Sequence, residues 1–133
     1  MASAAYEKNK ASIRKYYLKN RERLLAVAKE KSRVRRAEQP DKVRNEKLRG
    51  HYGISLLQYS DLLAAQHGVC AVCHEPETET RHGKVRQMCV DHNHTTGQIR
   101  GLICSHCNLA IGYLHDSPAR ALAIASYLER TDG

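Results

Sequence analysis

The segment Val90-Asp91-His92-Asn93-His94-Thr95-Thr96-Gly97 lies between two Cys-x-x-Cys pairs, Cys70/Cys73 upstream and Cys104/Cys107 downstream, and Asn108 directly follows the last cysteine. Each pair offers two thiolates from one tight knuckle. Two such knuckles meeting at a point give the tetrahedral four-sulfur shell that structural Zn²⁺ prefers. A redox dithiol or a buried apolar pair is the alternative, and the matched spacing of both pairs favours zinc. His106 sits inside the second knuckle but is not needed as a ligand when four thiols are present. The clamp would also gather Asp91, His92 and the Asn108 amide, groups able to hold a second, catalytic ion.

Working outward, Val85–Asp91 and Gln98–Ile103 read as two short strands joined by a turn through His94-Thr95-Thr96-Gly97. A helix is predicted from Ser105 to about His115. A ββα unit sets the end of its first strand beside the start of its helix, so Asp91, His92 and Asn108 are expected in one small volume. Gly101 would allow close backbone approach near the zinc. Cys89, the fifth cysteine, reads as a small buried residue.

Upstream, Ser55 is a candidate N-cap for a helix to about His67, with Leu56, Leu57, Leu62, Leu63 and Ala64 buried and Gly68 ending it. Residues 74–84 are polar and turn-rich and read as a loop. Downstream, Ser117 followed by Pro118 opens a last helix through Tyr127 to Arg130. His51, His67, His74, His82 and His115 are scattered and read as surface residues.

Residues 4–39 contain no Gly or Pro and are rich in Ala, Leu, Lys, Arg and Glu, which favours one long helix. Ile13, Tyr17, Leu24 and Ala28 form a narrow apolar stripe, with Tyr16, Val27 and Val34 on an adjacent line. Pro40 should end or kink it. A short basic helix from about 41 to 49 follows, stopped near Gly50 or Gly53. The fold expected is α+β and mainly helical, with a zinc-clamped ββα-metal core and a long basic N-terminal extension. Residues 1–50 form the extension, an arm that can lie along DNA, pack on the body or pair with a second copy of itself, and 51–133 the core domain.

Charge follows that division. Residues 1–50 hold 16 Lys/Arg against 6 Asp/Glu, and residues 51–133 hold 6 against 8, so the first segment carries +10 and the second −2 of the net +8. A basic arm beside a nearly neutral body suits a polyanionic partner. Aromatic residues make up only 5% of the 133, with no Trp or Phe, so the core is small and gains from a metal staple. Structural zinc supplies roughly 10–16 kcal/mol of apparent binding free energy in small modules. The start of the chain has no secretion-type apolar core, and no apolar run approaches the ~20 residues of a membrane span. With five cysteines, the expectation is a reducing, cytoplasmic location.

Cys-x-x-Cys, then Val-Asp-His-x-His-x-Thr-Gly-x-Ile-Arg-Gly-Leu-x-Cys-x-x-Cys-Asn-x-x-x-Gly, resembles the recombination endonuclease VII family, phage-associated members of the HNH or His-Me finger nucleases. The resemblance covers about residues 55–130 and is densest from Val90 to Gly112. It implies metal-assisted hydrolysis of DNA phosphodiesters in a bacterial host cell. Asp91 and Asn108 would ligate Mg²⁺ or Mn²⁺ through a hard anionic and a neutral oxygen. His92 would be the general base, since an imidazole titrates near neutrality. His94 would support it at the scissile phosphate, with a structural turn histidine as the alternative, and Arg100 would grip a phosphate, with a solvent-facing strand arginine as the alternative. Some family members add a carboxylate one turn into the helix. Ile111 stands there in this chain, which leaves Asp116 as another source of a third ligand.

The resemblance points further to branched DNA, such as Holliday junctions in phage recombination or packaging. Two symmetric cuts in a junction imply a homodimer. A homing, restriction or nicking nuclease acting on duplex DNA is the alternative within the same chemistry. A non-catalytic zinc DNA-binding module is the alternative outside it.

Overall fold

The computed structural model describes residues 4–130. Two compact units divide the chain, Met1–Glu46 and Lys47–Gly133. In chain order the elements are α1 (Ala4–Glu38), α2 (Pro40–Tyr52), α3 (Leu56–Ala65), β1 (Thr80–Arg81), β2 (Lys84–Val85), β3 (Cys89–His92), β4 (Ile99–Ile103), α4 (Ser105–Tyr113) and α5 (Pro118–Glu129). The protein is therefore mainly helical, with two small antiparallel strand pairs.

In the first unit, α1 is the uninterrupted helix its composition favours. Asn20 and Leu24 are half-buried, and the other side chains from Tyr6 onward are exposed. Pro40 does not merely end it. The proline occupies the first position of α2, where its missing N–H costs nothing, and α2 continues past Gly50 to Tyr52. Gly53, with φ +71°, then turns the chain away. Arg35 of α1 donates to Glu46 of α2 at 2.6 Å.

The second unit is built on β3 and β4. Cys89 pairs with Ile103, Val90 with Leu102, Asp91 with Gly101 and His92 with Ile99, so Arg100 is the extra residue of a bulge. Val90, Leu102 and Ile103 join Leu48, Tyr59, Cys70, Met88 and Cys104 in the buried core. Two of these eight are cysteines of the predicted zinc shell, so the core and the predicted metal site share residues.

Several local expectations are corrected. The apolar set assigned to α3 includes Leu57 and Ala64, yet both are exposed. Tyr59 is the side chain α3 buries, and its hydroxyl donates to the Met88 carbonyl at 2.9 Å. The segment 74–84 is not only loop. Thr80–Arg81 and Lys84–Val85 pair across a two-residue turn, His82-Gly83, with both φ values positive at 53° and 73°. That is the handedness a tight hairpin needs. Val85 therefore belongs to this hairpin, and the longer strand begins at Cys89. The α4 helix stops at Tyr113, before His115 and Asp116 enter the left-handed region at φ 53° each.

Other signals held. Ser55 and Gln58 form a reciprocal capping box on α3. Gly68, at φ +77°, donates to the Leu63 carbonyl at 2.9 Å and closes that helix. The Ser117 hydroxyl accepts from the Arg120 N–H at 3.3 Å, with Pro118 at the first turn of α5.

Candidate metal centre

The four cysteine sulfurs of Cys70, Cys73, Cys104 and Cys107 lie within 4.8 Å of one another. Cys73 Sγ and Cys104 Sγ, from different knuckles, are 3.9 Å apart. Four thiolates at the usual Zn–S distance in a tetrahedron stand ~3.8 Å apart, so the donor set fits one Zn²⁺. Backbone N–H groups point at the sulfurs, Val72 at Cys70 and Cys107 at Cys104, each at 3.4 Å. Burial works to raise the Cys70 thiol, but N–H groups of Cys104, Cys73 and Val72 and the neighbouring Cys73 thiol outweigh it and bring it down to about 6. Burial and the adjoining thiols push Cys107 the other way. One easily ionised sulfur among three neighbours suits a cation that displaces the remaining protons. Cys89 lies outside the cluster and is half-buried, and burial holds its thiol up.

Gln66 and Ala71 tie the cysteine cluster to β4 and Glu77 ties it to α4, roles that no sequence signal marked. Gln66, at the end of α3, donates from Nε2 to the Leu102 carbonyl at 2.7 Å and to Val69 at 2.9 Å. Its Oε1 accepts from Leu102 N–H at 2.8 Å. Ala71 N–H adds a bond to the Leu102 carbonyl at 2.9 Å, docking the first knuckle on the free edge of β4. Gly101 is buried beneath it: a Cβ there would stand 3.2 Å from Ala71 Cβ and 3.3 Å from Gln66 Oε1. On the other side, Glu77 accepts from both the N–H and the hydroxyl of Ser105 at 2.8 Å, placing an anion at the α4 N-terminus. No periodicity marks Gln66 or Glu77, because each acts through a single long-range contact.

Asp91 and His92 close β3, and α4 lies against that strand. The Asp91 side chain is only 12% exposed and is gripped by Arg100, Nε to Oδ2 at 2.7 Å and Nη2 to Oδ1 at 2.9 Å. The same Nη2 donates to Asp116 Oδ1 at 2.8 Å. Arg100, expected at a phosphate, thus stands between two carboxylates, which hold its pKa up; the guanidinium in turn lowers Asp116. The bulge explains the reach, since it frees Arg100 from the pairing register and turns its side chain back along β3.

His92 is half-buried and meets the Tyr52 ring edge-on, centroids 5.5 Å apart. The His94 ring lies 4.7 Å from that of His92, and its Nε2 is 3.3 Å from Asp116 Oδ2. The hairpin tip is rigidly built. Asn93 Oδ1 accepts from Thr95 and Thr96 N–H at 2.8 and 3.0 Å, and Gly97 N–H bonds the Asn93 carbonyl at 2.7 Å. Asn108, in the first turn of α4, is exposed. Ile111, one helical turn further on, lines with Asp91 a cavity of 380 Å³ whose walls include Ile103, Leu114 and Pro118. Asp91 therefore faces the α4 side of the hairpin.

Among the described residues no helix is long and apolar enough to cross a membrane. The family model described as recombination endonuclease VII matches residues 45–130, more than half the chain. A gene 59 protein of Mycobacterium phage D29 is 34% identical over 80 residues, covering 59% of this chain and 46% of that protein. One from Mycobacterium phage L5 is 36% identical over 66 residues, covering 49% and 37%. The chain thus spans less than half the length of these curated relatives. No solved structure matches it significantly. With the match running through both knuckles, the Asp91-His92 pair and Asn108, the chain belongs to the recombination endonuclease VII family.

Proposed function

We propose that this protein is a metal-dependent DNA endonuclease whose residues 89–113 form a His-Me finger. The observation that carries the reading is local. Asp91 and His92 end a strand against which lies the helix bearing Asn108, and a four-cysteine cluster ties the knuckle after α3 to the junction of β4 with that helix. Family membership supports nuclease chemistry, and the phage relatives fit a role in phage recombination within a bacterial host cell.

In this reading Asp91 and Asn108 hold Mg²⁺ or Mn²⁺. A carboxylate has about four lone-pair positions, so the two Arg100 bonds leave Asp91 free acceptors for an ion. When bound, the ion neutralises charge developing on the phosphate. His92 takes the proton from the attacking water, its ring steadied by Tyr52 on one side and His94 on the other. His94, exposed at the hairpin tip, meets the scissile phosphate, and Arg100 orients Asp91 while its remaining donors meet an adjoining phosphate. The basic α1 extension binds phosphates without reading sequence.

The substrate is branched DNA, Holliday junctions among it, and the working form is a homodimer that makes paired cuts. Incubating the protein with Mg²⁺ and either a four-way junction or a linear duplex of matched sequence tests this. Symmetric incision near the branch point of the junction, with the duplex left intact, is expected. Equal cutting of both would replace the junction substrate with duplex DNA. Binding without cutting in Mg²⁺ or Mn²⁺ would leave a non-catalytic zinc module.

A further inference from the structure

Asp116 is the hub of the polar cluster beside the zinc-clamped hairpin. One oxygen accepts from Arg100 Nη2 at 2.8 Å and the other faces His94 Nε2 at 3.3 Å. Arg100 in turn forks both oxygens of Asp91. Asp116 thus touches, directly or through one side chain, the residue at the strand end and the residue at the hairpin tip. Its placement requires an unusual backbone. His115 and Asp116 are consecutive non-glycine residues with φ of 53°, a region such residues rarely occupy. The Asp116 N–H still bonds the Ile111 carbonyl at 3.2 Å, so the turn holds this shape firmly. An α-helical continuation would carry residue 116 around the helix axis. The left-handed pair is what delivers its carboxylate to Arg100.

Charge gives the arrangement a purpose. Arg100 alone would cancel Asp91 and leave a neutral pair with little pull on a cation. Adding Asp116 returns the trio to a net negative charge while keeping Asp91 fixed. Outer groups that orient a metal ligand in this way typically change metal affinity by about 10–100-fold when removed.

We infer that Asp116 is a positioning residue that holds Asp91 in its metal-binding orientation through Arg100, without itself ligating the ion. The inference rests on the metal-site reading above. Mn²⁺ affinity, measured by electron paramagnetic resonance on the zinc-loaded full chain, separates the two. Asp116→Asn should weaken Mn²⁺ binding about tenfold with zinc content unchanged. In an Arg100→Gln background, adding Asp116→Asn should cost clearly less than it does in the wild-type chain, since its charge is lost there but no hold on Arg100. Arg100→Lys, which keeps the charge but cannot fork Asp91 and reach Asp116 together, should weaken binding as Asp116→Asn does, and it serves if the latter fails to fold. Wild-type affinity in Asp116→Asn, or in Arg100→Lys, overturns the positioning role. An equal loss from Asp116→Asn in both backgrounds would likewise overturn it, since Asp116 would then act on the ion without Arg100. A wild-type chain that binds no Mn²⁺ removes the metal-site reading and this inference with it.

Discussion

His92 and Gly101 sit about one strand apart and carry opposite kinds of demand. His92 has its ring between Tyr52 and His94, where substitution leaves the core intact. His92→Ala should therefore lower cleavage by about 10²–10⁴-fold while DNA binding persists, read by single-turnover incision beside a binding assay. Full activity would remove His92 as the base. Gly101 has little room: a Cβ there would press on Ala71 and Gln66, which are both held by bonds to Leu102. Gly101→Ala should cost about 1–3 kcal/mol in urea unfolding of the zinc-loaded protein. A change under about 0.5 kcal/mol, normal for an exposed position, would contradict the packing described. The glycine's role was legible in the sequence, as were the four cysteines. Arg100's partners were not, because a bulge displaces it from the alternation that sequence reading assumes.

At the scale of elements, caps carried most of the legible information. Ser55, Gly68 and Ser117-Pro118 mark helix ends through local chemistry, and each does so in the structure. Leu56, Leu62 and Leu63 of α3 pack against the core as expected, but Leu57 and Ala64 do not, and Tyr59 takes the buried place. A tyrosine wins where its hydroxyl finds a carbonyl, here that of Met88. The hairpin at 80–85 was missed because histidine fills a left-handed turn position where Asn or Gly is usual. His67, His74 and His115 adopt the same backbone region, which histidine enters more readily than most non-glycine residues. The elements of the second unit are short, and cysteines supply part of their core, so their cohesion should depend on metal. Chelating zinc should abolish hydrogen-exchange protection of the Ala71 and Leu102 amides, which bond across the knuckle and the strand. Undiminished protection in the metal-free protein would show that the hairpin stands without its clamp.

For the whole molecule, charge and family match divide the sequence in similar places. The matched segment begins at residue 45, and the second compact unit at Lys47. Leu48 belongs to the core of that unit, so removal of the basic arm should stop at residue 46. We propose that α1 is the main nonspecific phosphate contact. Deleting residues 1–46 should lower DNA affinity and flatten its salt dependence, by about 0.9 in the log–log slope for each phosphate the arm neutralises. An unchanged slope, measured by anisotropy between low and physiological salt, would place the phosphate contacts elsewhere. Substrate structure was not legible from either sequence or fold, since the same finger chemistry serves any accessible phosphodiester.

We propose that one thiolate-bound ion fixes the knuckle after α3 to the junction of β4 and α4, so that Asp91 and Asn108 share a second ion beside His92. Anomalous scattering from crystals grown with Mn²⁺, collected at zinc and manganese wavelengths, tests this directly. The expected result is one zinc peak among Cys70, Cys73, Cys104 and Cys107, and one manganese peak at coordination distance from both Asp91 and Asn108. Zinc without manganese at those two residues, or manganese bound elsewhere, would contradict it.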